Sequence, residues 1–277
     1  MRIFLLGNGT KPRVPLVAET LLPLLKEHCE IVVYDLAQQV DLSQHVADIA
    51  LVLGGDGAIL RAARQMGYRQ VPVLGVNLGK LGFLADLSPE EVRTHLASLL
   101  RGEFTVTHHL MFECLVEGPA EHRAFLGLNE TVVRSATHHL IDIDLTIDGA
   151  LVATFSGDGL ILSTPVGSTA HNLSAGGPIL RQDLEAFVIT PICPHTLTYR
   201  PLVDGADRIY TIQVLRGSGG VLVVDGQYFV PLSLEHRVTF RKAPVRFQLI
   251  KVPGQGYYRT LRDKLHWGAP PGYRDEQ

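Results

Sequence analysis

Apolar and polar positions in the first hundred residues alternate between short strand-like runs and helical patterns. The run Ile49–Leu53 is apolar throughout, as expected of a strand that is covered on both faces. Leucines within residues 14–28 recur at helical spacing. This succession is typical of βα units that build a mostly parallel sheet, with strands predicted at residues 2–6, 31–34, 49–53 and 72–76.

One helix start is marked by its capping residues. Ser88 can accept a hydrogen bond at the N-cap, Pro89 suits the first turn, and Glu91 completes an S-x-x-E capping box. The following apolar residues share one helix face: Val92, Leu96, Leu99 and Leu100. The sequence therefore predicts a helix that begins at Pro89.

The apolar period changes to two at about Thr105, and strand-forming residues dominate from there. In residues 141–147, Ile and Leu alternate with Asp and Thr. We therefore predict an α/β domain over residues 1–100 and a β-rich domain over residues 101–245. A short helix is predicted over residues 257–267.

Two Asp-Gly pairs mark turns in the β-rich half. Asp148-Gly149 and Asp225-Gly226 each lie between apolar runs. Because Asp-Gly is favoured in the tight turns of β-hairpins, each pair is predicted to form a two-residue hairpin turn.

The composition is that of a globular protein with many turns. Of 277 residues, 46% are hydrophobic and 19% charged, with 27 Gly and 16 Pro, which excludes disorder, collagen and coiled coil. The 25 basic and 28 acidic residues give a net charge of −3. The net charge therefore gives no overall electrostatic attraction to nucleic acid or anionic lipid, and an anionic ligand must be bound by local groups.

The cysteines and the N-terminal residues indicate the cellular compartment of the protein. Cys29, Cys114 and Cys193 have neither the spacing of a zinc site nor that of a disulfide framework, and they are predicted to be small buried hydrophobic residues. The N-terminal apolar run, residues 3–6, is too short for a signal-peptide core, and no run is long enough to span a membrane. We expect a soluble, cytoplasmic protein.

The sharpest local signal is Gly54-Gly55-Asp56-Gly57, directly after a predicted strand and before a predicted helix. Such a turn lets backbone amides approach phosphate oxygens, and the helix N-terminus adds a favourable dipole. Asp56 could equally be a simple helix N-cap. The turn taken alone does not separate these two interpretations.

More familiar motifs are absent. Gly75, Gly79 and Lys80 resemble a Walker loop, but the spacing is one residue short and Leu81 replaces the Ser or Thr that binds Mg²⁺. Pro12 stands where the third glycine of a GxGxxG motif belongs. There is also no GxSxG nucleophile elbow.

Residues 163–178 form a run dense in small residues and hydroxyl groups, set between two apolar strand runs. Such a segment can wrap a polar ligand closely. A long Gly/Ser surface loop is the alternative. The length of the run and its place within a β region favour ligand binding.

Five segments, in this order, resemble the NAD kinases: residues 54–57, Asn129-Glu130, Gly157-Asp158-Gly159, residues 163–178 and Asp225-Gly226-Gln227. These enzymes phosphorylate the 2′-hydroxyl of the adenosine ribose of NAD to make NADP. The resemblance covers most of the chain. It implies an NAD kinase-like two-domain fold, with a Rossmann-like α/β N-terminal domain, a β-rich NAD-binding C-terminal domain, and a tail over residues 246–277 that returns to the first domain.

The resemblance implies roles for the GGDG residues. Asp56 would be the base that takes the proton from the 2′-hydroxyl as this oxygen attacks the γ-phosphate of ATP. Gly54, Gly55 and Gly57 would form the phosphate loop for ATP, with Asp56 and Gly57 also beside NAD. Arg61 and Lys80 are the candidate cations, although Arg61 could equally be a solvated helix residue.

The resemblance also implies the NAD-binding residues. Asn129 and Glu130 match the pair that grips the dinucleotide. Asp158 and Ser156 would border the NAD, although Asp158 could also be a plain turn residue. Further NAD contacts are implied for His139, Thr169, Ala170, His171, Asn172, Leu173, Ser174 and Gln227. His139 could equally lie at a polar strand end, and Gln227 could simply follow a turn.

Three residues depart from the family pattern, and each removes a hydroxyl group. Ala58 and Val166 stand where Thr is usual, and His171 stands where Tyr is usual. None is the proposed base, a member of the Asn-Glu pair or a glycine of the loop. These departures therefore bear on ligand preference and not on whether the enzyme is active.

Partners and rivals follow from the resemblance. NAD and ATP would be the substrates, Mg²⁺ or another divalent cation would accompany ATP with few protein ligands, and a homodimer or homotetramer is typical of the family. No resident metal, nucleic acid or membrane partner is expected. GGDG is shared with diacylglycerol and sphingosine kinases and with phosphofructokinases, so a lipid kinase is one rival. A non-catalytic NAD(P)-binding sensor is another.

Overall fold

The computed structural model describes residues 1–79, 82–85, 87–119, 122–217, 219–252 and 256–265. The chain forms two compact units. The first consists of Met1–Thr107 together with the C-terminal residues from Gln248, and the second of His108–Phe247. Each unit has its own buried apolar cluster.

The first unit is built on four parallel strands in the spatial order 30–35, 2–7, 49–53 and 73–76. The predicted strands and the predicted helix over residues 14–28 are confirmed, and the end of a later strand pairs in parallel at Leu249 with Val73. The elements are β1 (Arg2–Gly7), α1 (Arg13–His28), β2 (Glu30–Asp35), a 3₁₀ helix (Leu42–Gln44), β3 (Ile49–Leu53), α2 (Asp56–Met66), β4 (Val73–Val76) and α3 (Pro89–Leu100).

The capping box of α3 is present as predicted. The Ser88 hydroxyl accepts a hydrogen bond of 3.2 Å from the Glu91 backbone N–H, and the Ser88 N–H donates to Glu91 Oε2 at 2.7 Å. Val92, Leu96 and Leu99 are buried on one face. Local sequence alone therefore specifies both the start and the orientation of this helix.

The second unit contains two largely antiparallel sheets. One has six strands in the spatial order 202–205, 186–192, 159–163, 130–135, 220–224 and 228–232. The other contains the strands 237–251, 210–216, 141–147 and 150–157, with the strand 105–117 beside 237–251 and the strand 122–127 beside 105–117. Residues of both sheets share one apolar cluster, including Val133, Leu145, Phe187 and Phe240. The elements are β5 (Thr105–Glu117), β6 (His122–Gly127), β7 (Glu130–Ser135), β8 (Ile141–Ile147), β9 (Ala150–Gly157), β10 (Gly159–Ser163), a 3₁₀ helix (Gly167–Thr169), α4 (His171–Ser174), β11 (Ala186–Ile192), β12 (Leu202–Gly205), β13 (Tyr210–Arg216), β14 (Gly220–Val224), β15 (Tyr228–Leu232) and β16 (Arg237–Lys251).

The two Asp-Gly turns differ. Asp148-Gly149 is a two-residue turn, as predicted, because Ile147 pairs directly with Ala150. The prediction for Asp225-Gly226 is wrong by one residue, since Val224 pairs with Tyr228 and three residues form the loop. Asp225 and Gly226 both have positive φ, at 47° and 66°, and the Gln227 N–H donates to the Val224 carbonyl at 2.9 Å, as in a type I′ turn, with Gln227 as the additional loop residue.

The C-terminal helix and the cysteines complete the comparison. The structure has α5 over Tyr257–Leu265, while residues 266–267 of the predicted helix lie outside the described residues. Cys114 is buried as expected, but the prediction is wrong for Cys29, which is half-buried after α1, and for Cys193, which is exposed in the loop after β11 with a φ of 44°. In the described part of the chain, no helix has the length and apolar character to cross a membrane.

Candidate active site

The GGDG turn joins β3 to α2. Gly54 has a φ of 146°, where a side chain is strained, and an added Cβ would lie 2.9 Å from the Cβ of Ala58. Gly55 is the N-cap of α2, and Asp56 is the first helical residue with no capping hydrogen bond from its side chain. The interpretation of Asp56 as a simple N-cap is therefore wrong.

The Asp56 carboxylate is held instead by a second segment of the same unit. Its Oδ2 accepts the backbone N–H of Phe83 at 2.9 Å, and its Oδ1 accepts those of Leu84 and Ala85 at 3.0 and 3.2 Å. An added Cβ on Gly82 would lie 2.2 Å from Oδ1, so the segment needs glycine there for this close approach. These contacts fix the carboxylate at the start of α2.

Gly55 and Gly57 present open backbone. Both are exposed, and a Cβ added to either would meet no atom within 4 Å. Neither has a positive φ. The described residues therefore give no steric reason for glycine at these positions, whereas a group bound closely against the helix N-terminus would give one.

The candidate cations have different surroundings. The Arg61 Nη2 donates to the carbonyl oxygen of Gln38 at 2.9 Å, so this guanidinium is engaged within the unit. Lys80 lies outside the described residues. Sequence reasoning missed Lys264 of α5, whose Nζ lies 3.8 Å from Asp56 Oδ2. No motif marks Lys264, and only its position three residues after the buried Leu261 could have suggested its orientation.

The Asn129-Glu130 pair in the second unit is positioned by a buried aspartate. Asp225 accepts the backbone N–H of Leu128 at 2.8 Å, of Asn129 at 2.8 Å and of Glu130 at 3.1 Å. The backbone N–H of Asp225 donates to the Glu130 carbonyl at 2.9 Å. Sequence reasoning assigned Asp225 to a turn and missed this role, because the contact joins residues about a hundred positions apart.

Burial gives Glu130 an unusual protonation state. The residue is 8% exposed, and its Oε2 has no hydrogen-bond partner among the described residues. Burial, and to a lesser extent the charge of Asp225, raises the pKa of Glu130 to about 8. A hydroxyl group of a ligand could satisfy this oxygen.

The run 163–178 is not a surface loop throughout. Residues 163–168 are all buried, and the Thr164 hydroxyl donates to the Leu128 carbonyl at 2.6 Å. The Thr164 N–H donates to the Asn129 carbonyl at 2.9 Å. The buried half of the run therefore packs against the Asn129-Glu130 segment, and the alternative of a loose surface loop is wrong for this half.

The other half of the run alternates between buried and exposed side chains. The Asn172 amide donates at 3.0 Å to the carbonyls of Ser168 and Pro178, and its oxygen accepts from the Thr190 hydroxyl at 2.6 Å. This buried side chain therefore holds the loop in shape. Its neighbours are half-buried at Thr169, Ala170 and Leu173 and exposed at His171 and Ser174.

Two further predicted residues lie near the opposite end of β7. The backbone N–H of Ser135 donates to the Asp158 carbonyl at 2.9 Å, and the Ser135 hydroxyl donates to the His139 carbonyl at 2.7 Å. The thiol of Cys193 donates to the Asp158 carboxylate, which raises the pKa of that thiol. Both His139 and Asp158 are exposed.

The structure thus places six of the predicted residues of this unit in two groups, one at each end of β7. Asn129 and Glu130 lie at the first end of β7, where Gln227 follows Asp225 and donates its N–H to the Val224 carbonyl at 2.9 Å. His139 and Asp158 lie at the other end, about 16 Å away at roughly 3.3 Å per residue. Ser156 donates its hydroxyl to Asp142 and lies two residues before Asp158.

Comparisons with known proteins match both units. The family model described as the ATP-NAD kinase N-terminal domain matches residues 18–104, and that of the ATP-NAD kinase C-terminal domain matches residues 128–252. An NAD kinase of Rhodopirellula baltica is 46% identical, over 97% of this chain and 87% of that protein. An NAD kinase of Geotalea daltonii is 40% identical, over 91% of this chain and 90% of that protein.

This chain belongs to the NAD kinase family. Solved structures agree with that membership. An NAD kinase from Archaeoglobus fulgidus in complex with ATP has a TM-score of 0.79 and 28% identity, covering 96% of this chain and 99% of that one. Yeast NADH kinase complexed with NADH has a TM-score of 0.87, covering 99% of this chain and 89% of that one. Its 21% identity supports the fold alone.

Membership in the NAD kinase family confirms the resemblance and the predicted fold class. The three departures from the family pattern differ in exposure. Ala58 is half-buried in the first turn of α2, and Val166 is 3% exposed. His171 is exposed at the start of α4, so among these three residues it is the one that solvent or a ligand reaches most readily.

Proposed function

We infer that this protein is an ATP-dependent NAD kinase, a phosphotransferase with an alcohol group as acceptor. It transfers the γ-phosphate of ATP to the 2′-hydroxyl of the adenosine ribose of NAD and makes NADP. Membership in the NAD kinase family supports NAD and ATP as the substrates. No observation favours a lipid kinase or a non-catalytic sensor.

One structural observation supports phosphoryl transfer by this chain. The Asp56 carboxylate is held in place beside the open backbone of Gly55 and Gly57. Phosphoryl transfer depends mainly on positioning and on stabilisation of charge. Open amides at a helix N-terminus suit phosphate oxygens, and a carboxylate held by three amides is already oriented. This arrangement supports a phosphate loop formed by residues 54–57.

We propose that Asp56 accepts the proton through Oδ2. An ionised carboxylate has about four acceptor sites, and Oδ1 already accepts two N–H groups whereas Oδ2 accepts one. The 2′-oxygen forms a bond to the γ-phosphorus while the bond from that phosphorus to the bridging oxygen of ADP breaks. The proton of the hydroxyl moves to Oδ2, so charge and atoms balance.

The NAD would be held by residues of the second unit. Glu130 Oε2 supports this proposal, because it is buried and accepts no hydrogen bond among the described residues. Asn129 and Gln227 lie at the same end of β7 as Glu130. The exposed or half-buried residues of the run 163–178 would complete the adenosine contacts: Thr169, Ala170, His171, Leu173 and Ser174.

The remaining predicted residues would have different roles. Asn172 would act by holding the loop in shape, because its side chain is fully engaged within it. Ser156, Asp158 and His139 would border the other part of the dinucleotide. Arg61 would act through the packing of α2, since its guanidinium contacts the Gln38 carbonyl.

A divalent cation would enter with ATP rather than reside in the protein. Within the described ranges, no group of three His, Cys, Asp or Glu residues could hold a metal ion. The Asp56 carboxylate has three amide partners and does not resemble a metal ligand set. Mg²⁺ bound to the phosphates keeps much of its water and supplies charge neutralisation there.

We further propose that the enzyme is cytoplasmic and forms a homodimer or homotetramer. Its three cysteines are all free, which suits a reducing compartment. The net charge of −3 gives no support to a nucleic-acid or membrane partner.

The deciding experiment is NADP formation from NAD and MgATP by the wild type, Asp56→Asn and Asp41→Asn. Asp41 caps the 3₁₀ helix through its carboxylate, and Asn caps equally well, so this variant is a matched control. We expect Asp56→Asn to lose at least about a hundredfold in kcat, within the range that general bases contribute, while Asp41→Asn keeps wild-type turnover.

Failure has two distinct forms. If the wild type binds NAD but makes no NADP, the kinase assignment fails and the sensor reading replaces it. Phosphorylation of diacylglycerol or sphingosine without NADP formation would decide for the lipid kinase. If the wild type makes NADP and Asp56→Asn does so equally fast, the reaction stands and the role of Asp56 falls.

A further inference from the structure

Lys264 brings a positive charge to the GGDG aspartate from the far end of the sequence. Its Nζ lies 3.8 Å from Asp56 Oδ2 and 4.0 Å from the centroid of the Phe83 ring. The side chain is 32% exposed. Because 3.8 Å is too long for a hydrogen bond, the ammonium group of Lys264 donates no hydrogen bond to the Asp56 carboxylate.

The helix α5 orients this lysine. Leu261 is buried and lies three residues before Lys264, which places both on one face of the helix. The other cations of the helix face elsewhere: Arg259 and Arg262 are both largely exposed, and their Nε atoms lie 3.6 and 3.7 Å from the Asp263 carboxylate. Lys264 is thus the cation of α5 that the buried residue directs toward Asp56.

A kinase site needs positive charge where the phosphates lie, and the chain carries a net charge of −3. Arg61, one turn along α2 from Asp56, is engaged with the Gln38 carbonyl. Lys264 is therefore better placed than Arg61 to meet an anion at the GGDG turn.

We propose that Lys264 binds the phosphates of ATP beside Asp56 and neutralises the charge that develops there during transfer. This rests on the proposed function. The ammonium group has three donors, and its flexible stem can turn Nζ from Asp56 to a phosphate oxygen seated on the turn. In the structure, Nζ lies near the Asp56 carboxylate and over the Phe83 ring, within reach of the GGDG turn.

The alternative is a structural ion pair without a role in ATP binding. A partly exposed pair of this kind contributes little to stability. Removing the charge therefore leaves the fold intact, and the two readings differ in ATP binding rather than in stability.

The test uses Lys264→Gln and Lys264→Arg, with Arg262→Gln as the matched control on the same helix. Binding of MgATP and of AMP is measured without NAD, so that no transfer occurs. NADP formation is then measured on the same proteins, and thermal unfolding verifies that each is folded.

We expect Lys264→Gln to bind MgATP at least about tenfold more weakly and AMP within about twofold of the wild type, since AMP lacks the β- and γ-phosphates. Turnover should also fall at least about tenfold, with Lys264→Arg recovering most of both losses because it keeps the charge. Arg262→Gln should match the wild type. An equal loss of ATP and AMP binding would overturn the proposal.

The proposal would also be overturned if the ATP affinity and the turnover of Lys264→Gln both lay within threefold of the wild-type values. The contact between Lys264 and Asp56 would then be structural only. A failure of the proposed function has a separate readout, because the wild type itself would then make no NADP. The comparison of MgATP with AMP binding would still report whether Lys264 binds phosphate.

Discussion

Asp225 and Asn129 are far apart in the sequence, yet the Asn129 backbone N–H donates to Asp225 Oδ1 at 2.8 Å. Two neighbouring amides, of Leu128 and Glu130, donate to the same carboxylate. Asp225 is 5% exposed. The turn after β14 therefore holds the start of β7, where the residues proposed to bind NAD lie.

Replacement of Asp225 by Asn should destabilise the protein and weaken NAD binding together. Asn offers one acceptor oxygen where three amides need acceptors, and loss of a hydrogen bond to a buried charged group costs about 1.5–3 kcal/mol. We expect the free energy of unfolding in urea to fall by about 2–4 kcal/mol and KM for NAD to rise.

Asp148→Asn is the matched control, because Asp148 opens the other Asp-Gly turn but is exposed, and its carboxylate accepts one backbone N–H, that of Ile209 at 2.9 Å, beside its pair with Arg208. Exposed ion pairs contribute little to stability, and Asn-Gly also suits the turn. Equal losses of stability in the two variants would contradict the role given to Asp225.

The same pair of turns shows how far the sequence could lead. Apolar periodicity predicted the strands of the first unit, and the capping box of Ser88 and Glu91 predicted the start of α3, because both signals act between residues close in sequence. The Asp-Gly signal predicted two hairpins equally well. It could not distinguish the exposed Asp148, whose carboxylate accepts one distant backbone N–H, from the buried Asp225, whose carboxylate accepts three.

The site shows the same limit. The resemblance to NAD kinases supplied the residues, but not which side chains face a ligand. Asn172 and His171 are neighbours in the motif, yet one is buried in the loop and the other is exposed. Lys264 was missed because its place beside Asp56 depends on how α5 packs, which no local pattern specifies.

Glu130 should make stability depend on pH in a defined window. Its pKa is about 8 in the native state and near the ordinary value of 4.5 when unfolded. Between these values the native state binds more protons than the unfolded state, so the contribution to stability is full below about pH 4.5 and is lost as the pH rises to about 8.

We therefore expect Glu130→Gln to gain stability relative to the wild type as the pH rises from 5.5 to 8.5, because the amide carries no charge to bury. Urea unfolding at several pH values checks this. Glu103→Gln is the control, since hydrogen bonding to Arg101 lowers the pKa of exposed Glu103 and moves its titration below this range. A constant difference between Glu130→Gln and the wild type would refute the raised pKa.

His171 and Asn172 should separate ligand binding from loop structure. Asn172→Ala leaves the Thr190 hydroxyl and the carbonyls of Ser168 and Pro178 without their buried partner, so the free energy of unfolding should fall by about 2–4 kcal/mol and NAD binding should weaken with it. His171→Ala changes an exposed side chain, so stability should stay within about 0.5 kcal/mol while KM for NAD rises. Urea unfolding and NADP formation measured on both variants check the pair. Wild-type NAD affinity in His171→Ala would remove His171 from the site, whereas a stability loss there equal to that of Asn172→Ala would mean that His171, like its neighbour, supports the loop.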